Sequence, residues 1–135
     1  MPSPGTLHHI ELYVASLEAS ERFWERLLGF FGYRKFQDWG RGMSYKLDDT
    51  YIVLVQVEAK HMEPGYHRQG VGLNHLAFHA ASREQVDQIT SWIRQSGYQV
   101  LCEDRHPFAG GANHYALYCE DPNRIKVEVV APSQA

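Results

Sequence analysis

The sequence repeats one order of patterns twice within 135 residues, at a nearly constant offset. His9 in "LHHIELYVAS" and His75 in "LNHLAFHAAS" are 66 positions apart, the serines that end these two segments share that offset, and the "GY" pair at 32 recurs at 97. An internal duplication of one folding unit is the simplest explanation of such a pattern. The length fits a single domain that can bury a core without a metal ion or disulfides.

Each copy is predicted to contain a strand, a helix and three further strands. The segment from His9 alternates polar and apolar residues, which is typical of a half-buried strand. A serine cap and apolar residues at helical spacing then predict an amphipathic helix that a glycine ends. Further strands are predicted at 33–39, 42–47 and 51–57, and again at 98–103, 113–119 and 125–130.

These patterns predict an α+β fold and set the boundaries of the modules. We expect one domain over 1–135, with module 1 at about 6–58, a polar, glycine-bearing linker at 59–70 and module 2 at about 71–131.

Composition excludes several functional classes. The formal net charge is −3 and like charges form no block, so neither a nucleic-acid footprint nor a polybasic membrane patch is present. No apolar run approaches the roughly 20 residues of a membrane span, and the first residues do not resemble a signal peptide. Cys102 and Cys119 are expected to be thiols rather than a disulfide. We therefore expect a cytoplasmic protein with a small-molecule partner.

Two histidines and a carboxylate are candidate metal ligands. The apolar side of each first strand must face its own helix, which leaves His9 and His75 on the opposite side. Glu128 in "IKVEVV" lies on the face opposite its valine neighbours, and a carboxylate in such a strand needs a partner. Two histidines and a carboxylate match one common type of metal site. The same spacing also fits strand residues that only form hydrogen bonds.

Three segments resemble a known family. "LHHIELYVASLEASERFWERLLGF", "LNHLAFHAAS" and "HYALYCEDPNRIKVEVV" look like the vicinal oxygen chelate superfamily of glyoxalase I, bleomycin- and fosfomycin-resistance proteins, methylmalonyl-CoA epimerase and extradiol dioxygenases. The resemblance covers nearly the whole chain. It implies two tandem βαβββ modules that form an open, barrel-like mixed sheet cavity with helices outside. It also implies a divalent metal (Fe, Ni, Zn, Mn or Co) bound by His9, His75 and Glu128.

The position of a fourth ligand departs from the family pattern. Many members add a Glu or Gln ligand from the fourth strand of module 1, where the expected counterpart of Glu128 in "YIVLVQVE" is Leu54. Gln56 lies two residues further on the same face. A site that includes Gln56 resembles those of the isomerases and epimerases, whereas a three-ligand site resembles those of the dioxygenases. Gln56 as a plain polar residue at a strand end is equally compatible with the sequence.

Other polar residues are expected to share the histidine-bearing faces: Glu11, Tyr13, His114 and Tyr118. Each is a candidate for orienting substrate or carrying a proton, or simply for filling the wall. Tyr118 is the preferred catalytic candidate beside Glu128.

The resemblance implies a divalent-metal-dependent, glyoxalase-like enzyme. Its expected reaction is isomerisation, lyase chemistry or epimerisation next to a carbonyl, through a metal-stabilised enediolate. The alternatives are an extradiol-type dioxygenase and a metal-free, antibiotic-like binding protein that stacks a planar ligand on aromatic side chains. The filled positions His9, His75 and Glu128 favour the enzyme. The resemblance further leads us to expect a homodimer.

Overall fold

The computed structural model describes residues 2–134, which contain seven strands in two sheets and two α-helices. The chain divides into two compact units, one ending at Gly65 and the next starting at Tyr66. In order, the elements are β1 (His9–Val14), α1 (Leu17–Phe30), β2 (Arg34–Asp38), β3 (Gly42–Leu47), β4 (Thr50–Gln56), a 3-10 turn (Ala59–His61), β5 (His75–His79), α2 (Arg83–Gln95), β6 (Ala116–Glu120) and β7 (Lys126–Val130). The mixed α+β architecture predicted from the sequence is confirmed, and the sheets are not closed.

The two modules share the order of their paired strands, except that, among the described residues, the sheet of module 2 lacks a counterpart of β2. The first sheet has the order β1-β4-β3-β2 and the second has the order β5-β7-β6. In each sheet the first strand of the module pairs in parallel with its last strand. The helix between them is the crossover that a parallel pair requires. The alternation predicted for the first strands is confirmed, because the histidine-bearing side is exposed in both.

Local side-chain chemistry fixes where each helix begins and ends. Ser16 and Ser82 are the N-caps, and their hydroxyl oxygens accept hydrogen bonds from the backbone N–H groups of Ala19 and Gln85. These bonds satisfy donors that have no partner within the helix. Each helix is followed by a glycine with positive φ, at the "GY" pair of each copy. A residue with a side chain would be strained in that conformation.

Each module has its own buried apolar cluster. In module 1, helix α1 buries the side chains of Phe23, Trp24, Leu27 and Leu28. In module 2, helix α2 buries Val86, Ile89 and Ile93, and it contacts the apolar side of β6. The helices therefore cover the face of each sheet that does not carry the histidines.

The strand predicted at 98–103 is wrong. Val100 forms only an isolated bridge with Cys119 of β6. Beside it, Leu101 N donates a hydrogen bond to Tyr118 O, and Glu120 N donates one to Gln99 O. Cys102 has a φ of 55°, a left-handed conformation that ends the extended backbone, and turns follow it. Both cysteines are free thiols, in agreement with the sequence-based expectation.

No α-helix within residues 2–134 has the length and apolar character needed to cross a membrane.

Candidate metal centre

The sheet of module 2 places His75, Tyr118 and Glu128 on one face. Glu128 pairs with Ala77 of β5 on one side and with Tyr118 of β6 on the other. Directly paired residues in a sheet project to the same face, and so do residues two positions apart along a strand, such as His75 and Ala77. The valines that flank Glu128 point to the opposite face and are fully buried.

The carboxylate of Glu128 is buried and has three polar neighbours. Only 7% of its side chain is exposed. His75 Nε2 lies 3.2 Å from Oε1, and His114 Nε2 is hydrogen-bonded to Oε2. The Tyr118 hydroxyl also donates a hydrogen bond to the same carboxylate. A buried carboxylate is stable only with such partners, and here all three come from its own module.

Asn74 fixes the orientation of the His75 ring. Its Nδ2 donates a hydrogen bond to the backbone oxygen of Arg68, at 3.2 Å, which turns its Oδ1 towards His75. His75 Nδ1 lies 2.7 Å from that oxygen and must donate to it, because an amide oxygen only accepts. A histidine that binds metal commonly has its other ring nitrogen held in this way.

Because Asn74 accepts the hydrogen bond from His75 Nδ1, the Nε2 atom of His75 and the Glu128 oxygen that it faces are both hydrogen-bond acceptors. With the proton on Nδ1, Nε2 of neutral His75 is an acceptor, and it lies 3.2 Å from the carboxylate oxygen Oε1 of Glu128. Two acceptors at this distance repel each other unless a cation lies between them. The cation is either a proton, which makes His75 an imidazolium, or a metal ion.

The separation of these two atoms fits a shared metal ion. Nitrogen and oxygen ligands bind divalent transition metals at about 2.1 Å, so neighbouring ligands of one ion lie roughly 3.0 to 3.4 Å apart. The distance between His75 Nε2 and Glu128 Oε1 falls in that range. Within residues 2–134, however, no group of three or more His, Cys, Asp or Glu side chains is arranged to hold a metal ion. Module 2 therefore brings together two of the side chains that were predicted as ligands, His75 and Glu128.

Tyr118 contributes a phenol that keeps its proton. Burial, and then the nearby charge of Glu128, raise the pKa of Tyr118 to about 12. The hydrogen bond that it donates to Glu128 acts in the same direction. The Lys126 Nζ lies 4.9 Å from the centre of the Tyr118 ring. At neutral pH Tyr118 is thus a hydrogen-bond donor beside a carboxylate, with a cationic side chain over its ring.

In module 1, His9 occupies the matching position of β1. Its ring stacks on that of Tyr51, the residue that it pairs with in β4, with ring centres 4.7 Å apart. Its Nδ1 lies 2.9 Å from Nδ1 of His8, so one of the two rings donates to the other. His8 therefore contacts His9 as Asn74 contacts His75.

Gln56 lies on the other face of its sheet from His9. It pairs with Val14, whereas His9 pairs with Tyr51, and the two pairs are separated by an odd number of residues. Its Oε1 accepts a hydrogen bond from Leu17 N, at 2.9 Å, and its Nε2 donates to Ala15 O, at 2.8 Å. Gln56 thus holds the turn before helix α1, and this placement argues against a role as a metal ligand.

The prediction that Leu54 is the counterpart of Glu128 in module 1 is wrong. Glu128 pairs with Ala77, which corresponds to Glu11 at the offset of the duplication. Glu11 pairs with Val53, so Val53 and not Leu54 occupies the equivalent place. A shift of one residue moves a side chain to the other face, which is why the sequence pattern alone did not fix this position.

Two contacts of the site were not predicted. Asn74 was not considered, although polar residues precede both strand histidines at the same offset, which is a signal that the duplication offers. His114 was expected on a strand beside Tyr118, but it lies in the loop before β6 and contacts Glu128. No local pattern predicts that contact, because it depends on the path of the loop.

The model of the Glyoxalase/Bleomycin resistance protein/Dioxygenase superfamily matches residues 6–129. The chain belongs to this superfamily. It is 60% identical over 127 residues to the uncharacterized protein YqjT of Bacillus subtilis (strain 168), covering 94% of this chain and 99% of YqjT. It is 28% identical over 130 residues to the glutathione transferase FosA of Serratia marcescens, covering 96% of this chain and 83% of FosA.

Solved structures of superfamily members have the same fold. A candidate glyoxalase from Bacillus halodurans is 59% identical, with a TM-score of 0.94 over 96% of this chain and 97% of that one. A mutant of the fosfomycin resistance protein FosX from Listeria monocytogenes, complexed with Mn(II) and 1S,2S-dihydroxypropylphosphonic acid, has a TM-score of 0.67 at 20% identity. That match covers 95% of this chain and 90% of the FosX chain.

Proposed function

We propose that this superfamily member is a divalent-metal-dependent enzyme that acts on a small molecule at the carbon next to a carbonyl. The observation that carries the proposal is the pair His75 Nε2 and Glu128 Oε1, two acceptors held 3.2 Å apart by Asn74. A proton satisfies this pair, but a metal ion satisfies it and also leaves positions for substrate oxygens. The Mn(II) complex of the structurally similar FosX supports the second choice.

The proposed ligands are His75 and Glu128 from module 2 and His9 from module 1. His9 is included because the family resemblance assigns it, and its Nδ1 is contacted by the neighbouring His8 ring. Imidazole and carboxylate ligands together suit Mn, Fe, Co, Ni and Zn. The donor set therefore fits the metals that the resemblance implies. Gln56 is not included, since its amide binds the backbone of the β1–α1 turn.

The residues of module 2 then have distinct chemical tasks. A metal ion held by these ligands would supply positive charge that stabilises negative charge on substrate oxygens. Tyr118 keeps its proton at neutral pH, because its pKa is about 12, and it can donate a hydrogen bond to an anionic substrate oxygen. Glu128 is the proposed proton carrier, since its carboxylate already accepts hydrogen bonds from His114 Nε2 and the Tyr118 hydroxyl.

Proton exchange next to a carbonyl tests the proposal directly. Protein without a histidine tag is loaded with Mn(II), Fe(II), Co(II), Ni(II) or Zn(II) and incubated in D2O with ketoaldehyde–thiol adducts and with acyl thioesters. The expected result is metal-dependent incorporation of deuterium into the substrate. Proton NMR detects it after the metal has been removed. His75→Ala should abolish it, and His79→Ala should not, because His79 is an exposed residue at the end of β5.

The two alternative functions, a dioxygenase and a metal-free binding protein, predict different results when the same protein samples are assayed. Oxygen consumption with catechols on Fe(II)-loaded protein, without deuterium exchange, would assign a dioxygenase. Tight binding of planar ligands by metal-free protein, with no exchange for any metal, would replace the enzyme with a binding protein.

A further inference from the structure

The loop before β6 is folded so that it delivers His114 to the site. Gly111 N donates a hydrogen bond to Phe108 O, at 3.0 Å, and His114 N donates to Gly111 O, at 3.1 Å. The loop is tied to the strand edge by a bond from Ala116 N to Pro107 O, at 2.9 Å. These backbone bonds set the path of the chain, and they place the imidazole of His114 over Glu128.

His114 and His75 bind different oxygens of the Glu128 carboxylate. His75 Nε2 faces Oε1, and His114 Nε2 is bonded to Oε2. A carboxylate accepts hydrogen bonds, so His114 donates from Nε2. The contact engages one oxygen and restricts rotation of the carboxylate, while the other oxygen is directed at His75.

We infer that His114 is a positioning residue that orients Glu128 as a metal ligand. The inference rests on the proposed function, and it goes beyond the ligand set of that proposal. Without the bond to His114, the carboxylate can rotate about its last torsion, which is broad in glutamate. Metal binding must then order the group, and the ordering weakens the affinity. His114 itself is not a ligand in this account, because its Nε2 is bonded to the second oxygen.

Gly110 is the position that permits this arrangement. A Cβ atom at residue 110 would lie 2.5 Å from Cδ2 of His114 and 2.8 Å from the hydroxyl oxygen of Tyr118. Those distances are too short for real contacts, so a side chain at 110 would displace the two donors of Glu128 together. Gly110→Ala is therefore a second way to disturb Glu128 without changing a polar side chain.

The test measures Mn(II) affinity of the full chain by competition with a chelator. Replacing His114 by Leu should weaken binding about 10- to 100-fold, as loss of a partner of a metal ligand commonly does. His114→Gln, which keeps an N–H donor, should recover most of the affinity. His79→Gln is the matched control, because it removes an exposed histidine from the same module. Equal affinities of the parent and His114→Leu would overturn the inference.

A spectroscopic measurement separates a positioning residue from a ligand. Pulsed electron paramagnetic resonance of bound Mn(II) counts the coupled imidazole nitrogens. The count should be the same in the parent and in His114→Gln. A lower count in the variant would show that His114 binds the metal and would overturn the inference.

The metal-free protein tests the inference independently of the proposed function. Failure of the parent to bind any metal would refute the proposed function. Even if no metal binds, crystal structures of His114→Leu and Gly110→Ala should show the Glu128 carboxylate turned away from His75. Gly29→Ala is the control for the second variant, since a Cβ atom at residue 29 meets nothing within 4 Å. An unchanged Glu128 in both variants would overturn the positioning role.

Discussion

The two modules hold their first-strand histidines alike, although they surround them differently. In module 1 the Nδ1 of His9 lies 2.9 Å from the side chain of His8, and in module 2 the Nδ1 of His75 lies 2.7 Å from that of Asn74. In both cases the residue just before the histidine makes the contact. Both modules thus have a side-chain contact at Nδ1 of the histidine, although a different residue makes it in each.

The carboxylate is where the modules differ most. Module 1 has Glu11 on its first strand opposite Val53, whereas module 2 has Ala77 on its first strand opposite Glu128. Glu11 is exposed and Glu128 is buried. Module 1 therefore carries its acidic group on an exposed first strand, whereas module 2 carries one on a buried last strand, where it contacts a histidine.

The helices show the same mixture of repetition and divergence. The buried positions Phe23 and Trp24 of α1 correspond to Ile89 and Thr90 of α2 at the offset of the duplication. The same helix positions are buried in both modules, but the side chains at these two positions are much smaller in module 2 than in module 1. The core of module 1 therefore depends on large aromatic side chains, of which Trp24 is the largest.

The largest expected effect on stability comes from that aromatic residue. Trp24→Ala should lower the free energy of unfolding by about 3 to 5 kcal/mol, because it leaves a large cavity. Thr90→Ala should cost about 1 to 2 kcal/mol, since it removes one buried methyl group and a hydroxyl that bonds the Val86 carbonyl within the helix. Urea denaturation measures both values. Equal losses would show that the two cores do not differ as described.

A smaller effect is expected at the turns that precede the two helices. Gln56→Ala should destabilise the protein by about 1 to 2 kcal/mol, because its amide bonds Leu17 N and Ala15 O. Gln85→Ala tests the matching turn of module 2, where its Oε1 accepts from Ala81 N at 2.7 Å. Mn(II) affinity should stay at the parental value in both variants. A loss of affinity confined to Gln56→Ala would restore Gln56 as a ligand.

The smallest effect is expected at His8, the residue that orients His9. His8→Ala should weaken Mn(II) binding about 10-fold, at the lower end for partners of metal ligands. His8→Asn should restore it, because it copies into module 1 the residue that module 2 uses. Chelator competition is the measurement. If His8→Asn is as weak as His8→Ala, the two modules do not orient their histidines in the same way.

Local chemistry made much of the fold predictable from the sequence. The caps Ser16 and Ser82, the alternation of the first strands and the glycines after the helices are fixed by neighbouring residues, and the structure has all of them. The strand at 98–103 was mispredicted because the left-handed backbone of Cys102 does not follow from composition. Expected features that the structure does not test, such as the homodimer, stay predictions.

The candidate site was only partly predictable. His75 and Glu128 were identified, and the structure brings them together. Leu54 was taken as the counterpart of Glu128, because strand register depends on ladder pairing that the sequence does not display. The contact of His114 with Glu128 depends on a loop path, and so it could be found only in the structure.

Metal content tests the central claim most directly. Tag-free parent, His75→Ala, Glu128→Gln and Glu11→Gln are each reconstituted, dialysed and measured by inductively coupled plasma mass spectrometry. The account predicts about one divalent ion per chain in the parent and in Glu11→Gln, and loss of the ion in the other two variants. A parent that retains no metal, or a Glu128→Gln variant that retains it fully, would contradict the account.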